Sequence, residues 1–566
     1  MVTVEDPRSG NGRRPERGPS ARLRAVWPHL TASAVSGLLL YLSFPPFDLG
    51  PAAFVALVPL LVAVGRAPGY VTAAVCGWLA LLVAGLGGFA WLASVAVPGW
   101  LGLALYVSLY GALAALSIRW MREHLPAAWP ATAACAWVAL ELVRAELGPG
   151  FPWLFIGYTQ YRATWLVQTA ALGGVYAVGF VVFLTNAALA AVAERMSALR
   201  RAEGLGPGAC RAAILGVAVL GLACVGGAVA CRRVEMRQGP RVGVVQQNIP
   251  RLMSEIFDPD KTAADYYRER RDEVQLCAQL TARMRERGLD LAVWPESTAP
   301  VPLDLPPAAF AIPEERRLHG QTMGYLRELG EDMGCHFLIG APSYVSREAA
   351  RSLLYGVSAT PQFANSAVFL SPGGQVLDRY DKMRLVPFGE YVPGRALLPF
   401  LAALTPIPRE ITPGRQEVIF TLPDGAGTRF GALVCYEDVF PDLCIEFRRR
   451  GAQFLVNLTD EGWYLIAGEL RQHLAMAVFR AVETRTTVVR CANTGISCFI
   501  DPRGEVYAAL KPWTQGTLSA PVRLSDRVTP YVRFGDAFAV ACLMLTIAAP
   551  GLRLALRREG RTPHCR

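Results

Sequence analysis

The sequence predicts two structural classes in one chain: an α-helical transmembrane bundle of about eight spans, and an α/β sandwich domain carried before the last of them. Three observations predict this. Of 566 residues, 52% are hydrophobic and only 18% charged, with a mean hydropathy of +0.29, more apolar surface than a soluble core absorbs. Apolar runs of about 20 residues recur through the first part of the chain and once near its end. From about residue 240 the pattern changes to short β-rich runs separated by polar helices. Disorder throughout, collagen and a small disulfide scaffold are excluded.

Taken in order, residues 1–26 are rich in Arg, Pro and Gly and read as a disordered basic cytoplasmic tail. A cleaved signal peptide is the alternative, but further spans follow, which favours a retained first helix. Spans are expected near 28–45, 51–66, 71–97, 99–119, 126–145, 165–193 and 212–231, forming a seven-span domain over 27–235, with an eighth near 535–555 and a short tail at 556–566. The net charge of +10 does not point to nucleic acid, because the basic residues cluster beside apolar runs. Arg66, Arg119, Arg122, Arg195, Arg200, Arg201 and Arg211 fall in alternate loops, whereas Pro45–Asp48 and Pro98-Gly99 contain no Lys or Arg. That asymmetry puts both termini in the cytoplasm, with Arg232 and Arg233 as exceptions. Seven spans then place residues 240–525 on the outer side of the membrane. Within the bundle, Glu141 and Arg144 share a helical face, which reads as an ion pair or, less readily, as a transporter's coupling site.

In the exported segment, Val242–Val245, Leu291–Trp294, Phe337–Gly340, Ala367–Leu370, Gly431–Val434, Phe454–Val456 and Val488–Arg490 read as buried strands. Residues 262–287, 318–334 and 469–484 read as amphipathic helices. The thirteen cysteines include no Cys-x-x-Cys pair and the six histidines show no ligand spacing, so neither a metal nor a cofactor is expected. Cys277, Cys335, Cys444, Cys491 and Cys498 fall in the exported domain, with no disulfide assigned among them.

Functional groups in α/β folds sit beyond the C-terminal ends of strands. Three strand ends qualify: Trp294-Pro295 leads to Glu296, Tyr380-Asp381 to Lys382, and Leu433-Val434 to Cys435. A thiol becomes a good nucleophile when a lysine or a helix N-terminus lowers its pKa, and a helix over Pro441–Arg449 with Asp438 near its cap offers the second device. Glu296 is placed to take the thiol proton and Lys382 to stabilise a tetrahedral oxyanion, a division of labour suited to acyl transfer through a thioester. Taken singly, each residue has a plainer reading: a buried cysteine, a loop carboxylate, a surface lysine.

The three segments, 86 and 53 residues apart, resemble the nitrilase superfamily, which implies a Glu-Lys-Cys triad on an α-β-β-α sandwich. The run Tyr380–Pro393, with Phe151–Gln160, Val244–Pro250, Gln472-His473-Leu474, Arg490–Gly495 and Tyr531–Asp536, resembles more closely the membrane-embedded apolipoprotein N-acyltransferase family. The resemblance implies Glu296 as general base, Lys382 as oxyanion stabiliser and Cys435 as nucleophile. Glu390 would assist by orienting the site, with a loop salt bridge as its alternative, and Tyr436 and Glu437 would shape the nucleophile turn. It also implies a phospholipid acyl donor, a diacylated apolipoprotein acceptor and a monomeric integral membrane enzyme. Two segments depart from the family pattern, Leu458–Tyr464 and Thr486-Thr487, and Ile249–Pro259, with Phe257, is the candidate mobile arm. A tethered amidase acting on small amides, or a silent binding module, are the rival readings. The first leaves the many spans without a purpose, and the intact triad argues against the second.

Overall fold

Pro at the first turn and a run of good helix formers start the first helix earlier than its apolar core requires. The computed structural model describes residues 19–200, 208–251, 260–345, 362–395, 410–463 and 467–559. In it, α1 covers Pro19–Ser43, so the expected tail loses its last residues to helix, and residues 1–18 lie outside the described ones. The chain continues through α2 (Ala53–Ala56), α3 (Val58–Arg66), α4 (Tyr70–Gly88), α5 (Val97–His124), α6 (Trp129–Glu146), α7 (Thr164–Val167), α8 (Ala170–Arg200) and α9 (Gly208–Arg233). Against about eight expected spans, five helices among the described residues are long and apolar enough to cross a bilayer, those at 24–43, 70–88, 97–124, 170–197 and 214–233. Gly50–Arg66 and Ala537–Gly551 are shorter apolar helices. Helix α6 instead buries a mixed set that includes Glu141 and Arg144.

Two expected spans are broken. The stretch 71–97 stops at Gly88 and passes through a 3-10 turn, Ala90–Ser94, before α5. The stretch 165–193 is interrupted at Gly173-Gly174, where Gly174 has φ +66° and a Cβ would stand 2.5 Å from the Tyr531 ring. The break frees Val175 N–H, which donates to Glu483 Oε1 at 2.9 Å. Apolar periodicity cannot register such a kink, because the residues on both sides remain hydrophobic.

The α/β part contains two six-stranded sheets. Strands β1 (Arg237–Gln246), β2 (Leu291–Trp294), β3 (His336–Tyr344), β4 (Phe363–Leu370) and β5 (Val376–Asp381) form the first with β12 (Gly516–Leu524), in the order β12-β1-β2-β3-β4-β5. Strands β6 (Ile419–Thr421), β7 (Arg429–Val434), β8 (Phe454–Thr459), β9 (Thr487–Ala492), β10 (Cys498–Ile500) and β11 (Val506–Ala509) form the second. The centre of each sheet is parallel, β1-β2-β3 and β7-β8-β9, with antiparallel strands outside. Alternation sorts the side chains: Leu291 and Val293 face the inter-sheet core, while Ala292 and Trp294 pack against α10 (Ala263–Ala282) and α11 (Pro313–Met333). Helices α12 (Pro441–Arg449) and α13 (Ala467–Thr484) cover the second sheet, giving an α-β-β-α sandwich, and α14 (Pro530–Phe534) leads to α15 (Ala537–Glu559). Strands β6, β10, β11 and β12 were not among those expected, being short or lying in polar surroundings. Residues 252–259 of the candidate arm, Phe257 among them, and Tyr464 lie outside the described residues.

Gln472 on α13 joins the two parts. Its carbonyl oxygen accepts from the indoles of Trp153 (2.7 Å) and Trp91 (3.2 Å), and its amide donates to the backbone oxygens of Gly88 (3.0 Å) and Pro45 (3.1 Å). Within the bundle, α4 and α5 cross with Gly77 against Gly111, where a Cβ on Gly77 would lie 2.1 Å from Gly111 O. Gly77→Leu is therefore expected to lower both the yield of folded protein and its melting temperature in detergent. Gly221→Leu, where an added Cβ meets nothing within 4 Å, should leave both unchanged.

Candidate active site

Strands β2 and β5 run in the same direction, so Glu296 and Lys382 emerge at one edge of the first sheet. The Pro295–Ser297 turn fits against β3 only because residue 340 is glycine: a Cβ there would lie 2.3 Å from Pro295 O. Lys382 N–H extends the β4–β5 ladder by donating to Asn365 O at 2.8 Å. Cys435 leaves β7 with φ +54° and opens the 3-10 turn Cys435–Val439.

Glu437 holds that turn. Its Oε2 accepts from Val434 N at 2.8 Å, while Oε1 accepts from Tyr380 OH (2.7 Å), Met383 N (2.7 Å) and Arg384 N (3.1 Å). One carboxylate thus ties the cysteine turn to the loop carrying Lys382. Tyr436 stacks on Trp153, with ring centroids 6.3 Å apart, so the turn also touches the membrane part.

Lys382 is 1% exposed, and its Nζ lies 2.8 Å from Glu390 Oε1 and 3.4 Å from Glu296 Oε1. Asn365 Nδ2 bridges the two carboxylates, at 2.7 Å to Glu296 and 3.3 Å to Glu390. Asp460 N–H fixes the other Glu296 oxygen at 2.8 Å, and Val386 N–H the other Glu390 oxygen at 2.8 Å. Burial alone would lower the Lys382 pKa, but Glu390 and then Glu296 overcome it and hold the ammonium well above its ordinary value. Burial raises the Glu296 pKa despite the opposing pull of Lys382, which makes it a stronger base for the thiol proton.

The cysteine differs from expectation. Its pKa stands well above that of a free thiol, first because of burial and then because of Glu296, with Lys382 opposing. The anticipated helix N-terminus does not act on it: the cap of α12 is Phe440, and the 3-10 turn separates that helix from Cys435. At rest the sulfur therefore carries its proton, and proton removal has to accompany attack.

Asp438 is not a helix cap either. It pairs with His473 Nε2 and accepts from Arg490 Nη1 (2.6 Å) and Asn457 Nδ2 (2.5 Å), and Asn457 also donates to Cys435 O at 3.2 Å. His473 Nδ1 lies 2.7 Å from Glu461, which also pairs with Arg490. Burial opposes the charged imidazole, but Asp438 raises the His473 pKa to about 9. Burial and Glu461 lift Glu469 to about 8. At neutral pH two cations thus face Asp438 and Glu461, while Glu469 is protonated. Glu461, Glu469 and His473 offer atoms close enough to hold a metal, but Arg490 already supplies the compensating positive charge there.

Sequence reasoning missed Asn365, Asp460 and this buried network. The polar Asn365-Ser366 pair inside an otherwise apolar strand was an available signal. Asp460 and Glu461 lie in the 458–464 segment that departs from the family pattern. The cysteines Cys277, Cys335, Cys444, Cys491 and Cys498 are buried free thiols.

A sandwich with a carboxylate, an ammonium and a thiol gathered at its strand ends defines a carbon-nitrogen hydrolase domain, and residues 241–529 match that family. Part of the chain is also similar to a solved amidase from Nesterenkonia sp., at 20% identity over 55% of this chain and 98% of that one, with a TM-score of 0.36. Residues 36–188 match the apolipoprotein N-acyltransferase N-terminal domain. The apolipoprotein N-acyltransferase of Geobacter metallireducens is 36% identical over 93% of this chain and 95% of its own length, and that of Chlorobaculum tepidum 28% identical over 90% and 93%. The chain belongs to the apolipoprotein N-acyltransferase family.

Because His473 is raised from 6.5 to about 9, its stabilising contribution is full below about pH 6.5 and is lost as pH rises through 9. The raised Glu469 carboxyl works in the same direction, costing stability as pH climbs from about 4.5 to 8. Melting temperature is expected to fall between pH 6.5 and 9.5, and His473→Gln should flatten the upper part of that slope.

Proposed function

We propose that Cys435 takes an acyl chain from a membrane phospholipid as a thioester and passes it to the α-amino group of the N-terminal diacylglyceryl-cysteine of an apolipoprotein. As sulfur attacks the ester carbonyl, its proton moves to Glu296 and the developing oxyanion is stabilised by Lys382. The C–O bond breaks, and Glu296 returns the proton to the departing lysophospholipid oxygen. The acceptor amine then attacks the thioester, the C–S bond breaks, and the surplus amine proton restores the thiol through Glu296. Glu390 is a positioning residue that holds the Lys382 ammonium. Tyr436 and Glu437 maintain the nucleophile turn.

The observation that carries this reading is the Lys382 cluster beside a thiol whose turn packs on Trp153, in a domain hydrogen-bonded through Gln472 to apolar helices. Both substrates are anchored by their own chains, so a site next to the bilayer meets them without a soluble carrier. The positive-inside asymmetry supports a domain on the outer face of the inner membrane and cytoplasmic termini. The monomer is sufficient for this chemistry, since every group invoked comes from one chain.

Incubation with phospholipid but no acceptor should yield a mass increase of one acyl group on the peptide containing Cys435, absent in Cys435→Ala. Loss of that adduct on adding a diacylated peptide amine completes the cycle; an adduct elsewhere, or none, contradicts the proposal. Glu296→Gln should slow thioester formation by about 10²- to 10⁴-fold, and Lys382→Met by about 10²- to 10³-fold.

A further inference from the structure

A second polar feature lies inside the helical bundle, where the proposed chemistry makes no use of it. A small cavity that opens outward is lined by Leu40, Phe44, Val107, Leu140, Leu154 and Ile156, and also by Tyr110, Glu141 and Arg144. The sequence suggested that Glu141 and Arg144 form an ion pair. Among the described residues, no carboxylate lies within 4.0 Å of the Arg144 guanidinium, and no hydrogen bond satisfies it. Its contact is the Phe155 ring, 4.8 Å away. Glu141 Oε1 accepts from Trp137 Nε1 (3.0 Å) and Ile156 N (2.9 Å), while its Oε2 is buried without a hydrogen-bond partner.

Arg144 is 5% exposed, so a permanently charged group with five N–H donors sits in an apolar bundle with the Glu141 carboxylate on the same cavity wall but, among the described residues, with no hydrogen-bond acceptor. Such a charge is costly unless an anion reaches it. Tyr110 adds a hydroxyl at the wall, itself 2.8 Å from that of Tyr106. The remaining walls are aliphatic and aromatic, which suits an acyl chain and gives a small hydrophilic anion no reason to stay. Leu154, with φ +52°, lines the cavity while its neighbour Trp153 stacks on Tyr436, so the cavity and the nucleophile turn occupy opposite sides of one segment.

We propose that this cavity binds the head of an anionic amphiphile, with Arg144 taking its phosphate or carboxylate oxygens and the apolar walls holding the first methylenes of its chain. The proposal is independent of the acyl-transfer reading, since it requires neither Cys435 nor turnover. Two sources share the chemistry: a phospholipid phosphate and a free fatty acid carboxylate.

Native mass spectrometry of the full chain in detergent, titrated with phosphatidic acid, palmitate or diacylglycerol, tests it. One equivalent of phosphatidic acid or palmitate should bind about 10-fold or more tightly than diacylglycerol, and Arg144→Gln should remove that preference. Preference for phosphatidic acid identifies the phosphate as ligand, and preference for palmitate the carboxylate. Arg144→Lys, which keeps the charge, should retain part of the binding, and Ala84→Leu, at a further wall residue of the cavity, fills it, keeps Arg144 and should weaken binding. These two variants decide the matter if Arg144→Gln does not fold. Equal binding of diacylglycerol, no bound amphiphile, or affinity indifferent to these substitutions overturns the proposal.

Discussion

An ammonium buried to 1% exposure survives only if negative charge is built around it, and the site follows from meeting that condition for Lys382. One carboxylate would suffice for neutrality. Two are present, and Asn365 bridges them; burial first, and then the neighbouring carboxylates, raise Glu296 and the Cys435 thiol together. The arrangement keeps the sulfur protonated and unreactive until a carbonyl arrives whose developing oxyanion can share the lysine. Mutual raising of acid and thiol therefore does more than a simple thiolate would: it makes proton transfer part of the attack.

The same economy of groups recurs around the nucleophile. Glu437 gathers four donors from two separate segments, and Asp438, its neighbour, gathers three more from β8, α13 and β9. A left-handed cysteine is held on both sides by carboxylates whose lone pairs are nearly all in use. Strain at Cys435 is thus balanced by a rigid polar shell, which is the condition for keeping a reactive atom in one position. His473 and Arg490 supply the positive charge that makes this shell affordable in the interior.

Contact with the bundle is polar as well as apolar. Gln472 caps Gly88 O at the break after α4 and Pro45 O in the loop after α1 and orients both tryptophans, and Glu483 caps the N–H freed by the Gly173-Gly174 kink. Breaks in the helices therefore serve as sockets for side chains of α13. Neither a straight α4 nor a straight α8 would leave such groups free.

Much of this was legible in the residues alone. Apolar run length discloses the bundle, β-rich runs disclose the central strands, and their positions at strand ends mark Glu296, Lys382 and Cys435 as the reactive candidates. Composition reports which residues must be buried, and period reports in which element, because both are local properties of the chain. Asn365, Asp460, the His473 network and the placement of Arg144 over the Phe155 ring were not legible in that way. Their significance lies in distances across dozens to hundreds of residues, and a pKa depends on the desolvation and charge that those distances create. The sequence by itself determined the two-part architecture and the chemical types available; only tertiary structure decided that the thiol rests protonated, because burial and the Glu296 carboxylate outweigh the lysine that was expected to ionise it.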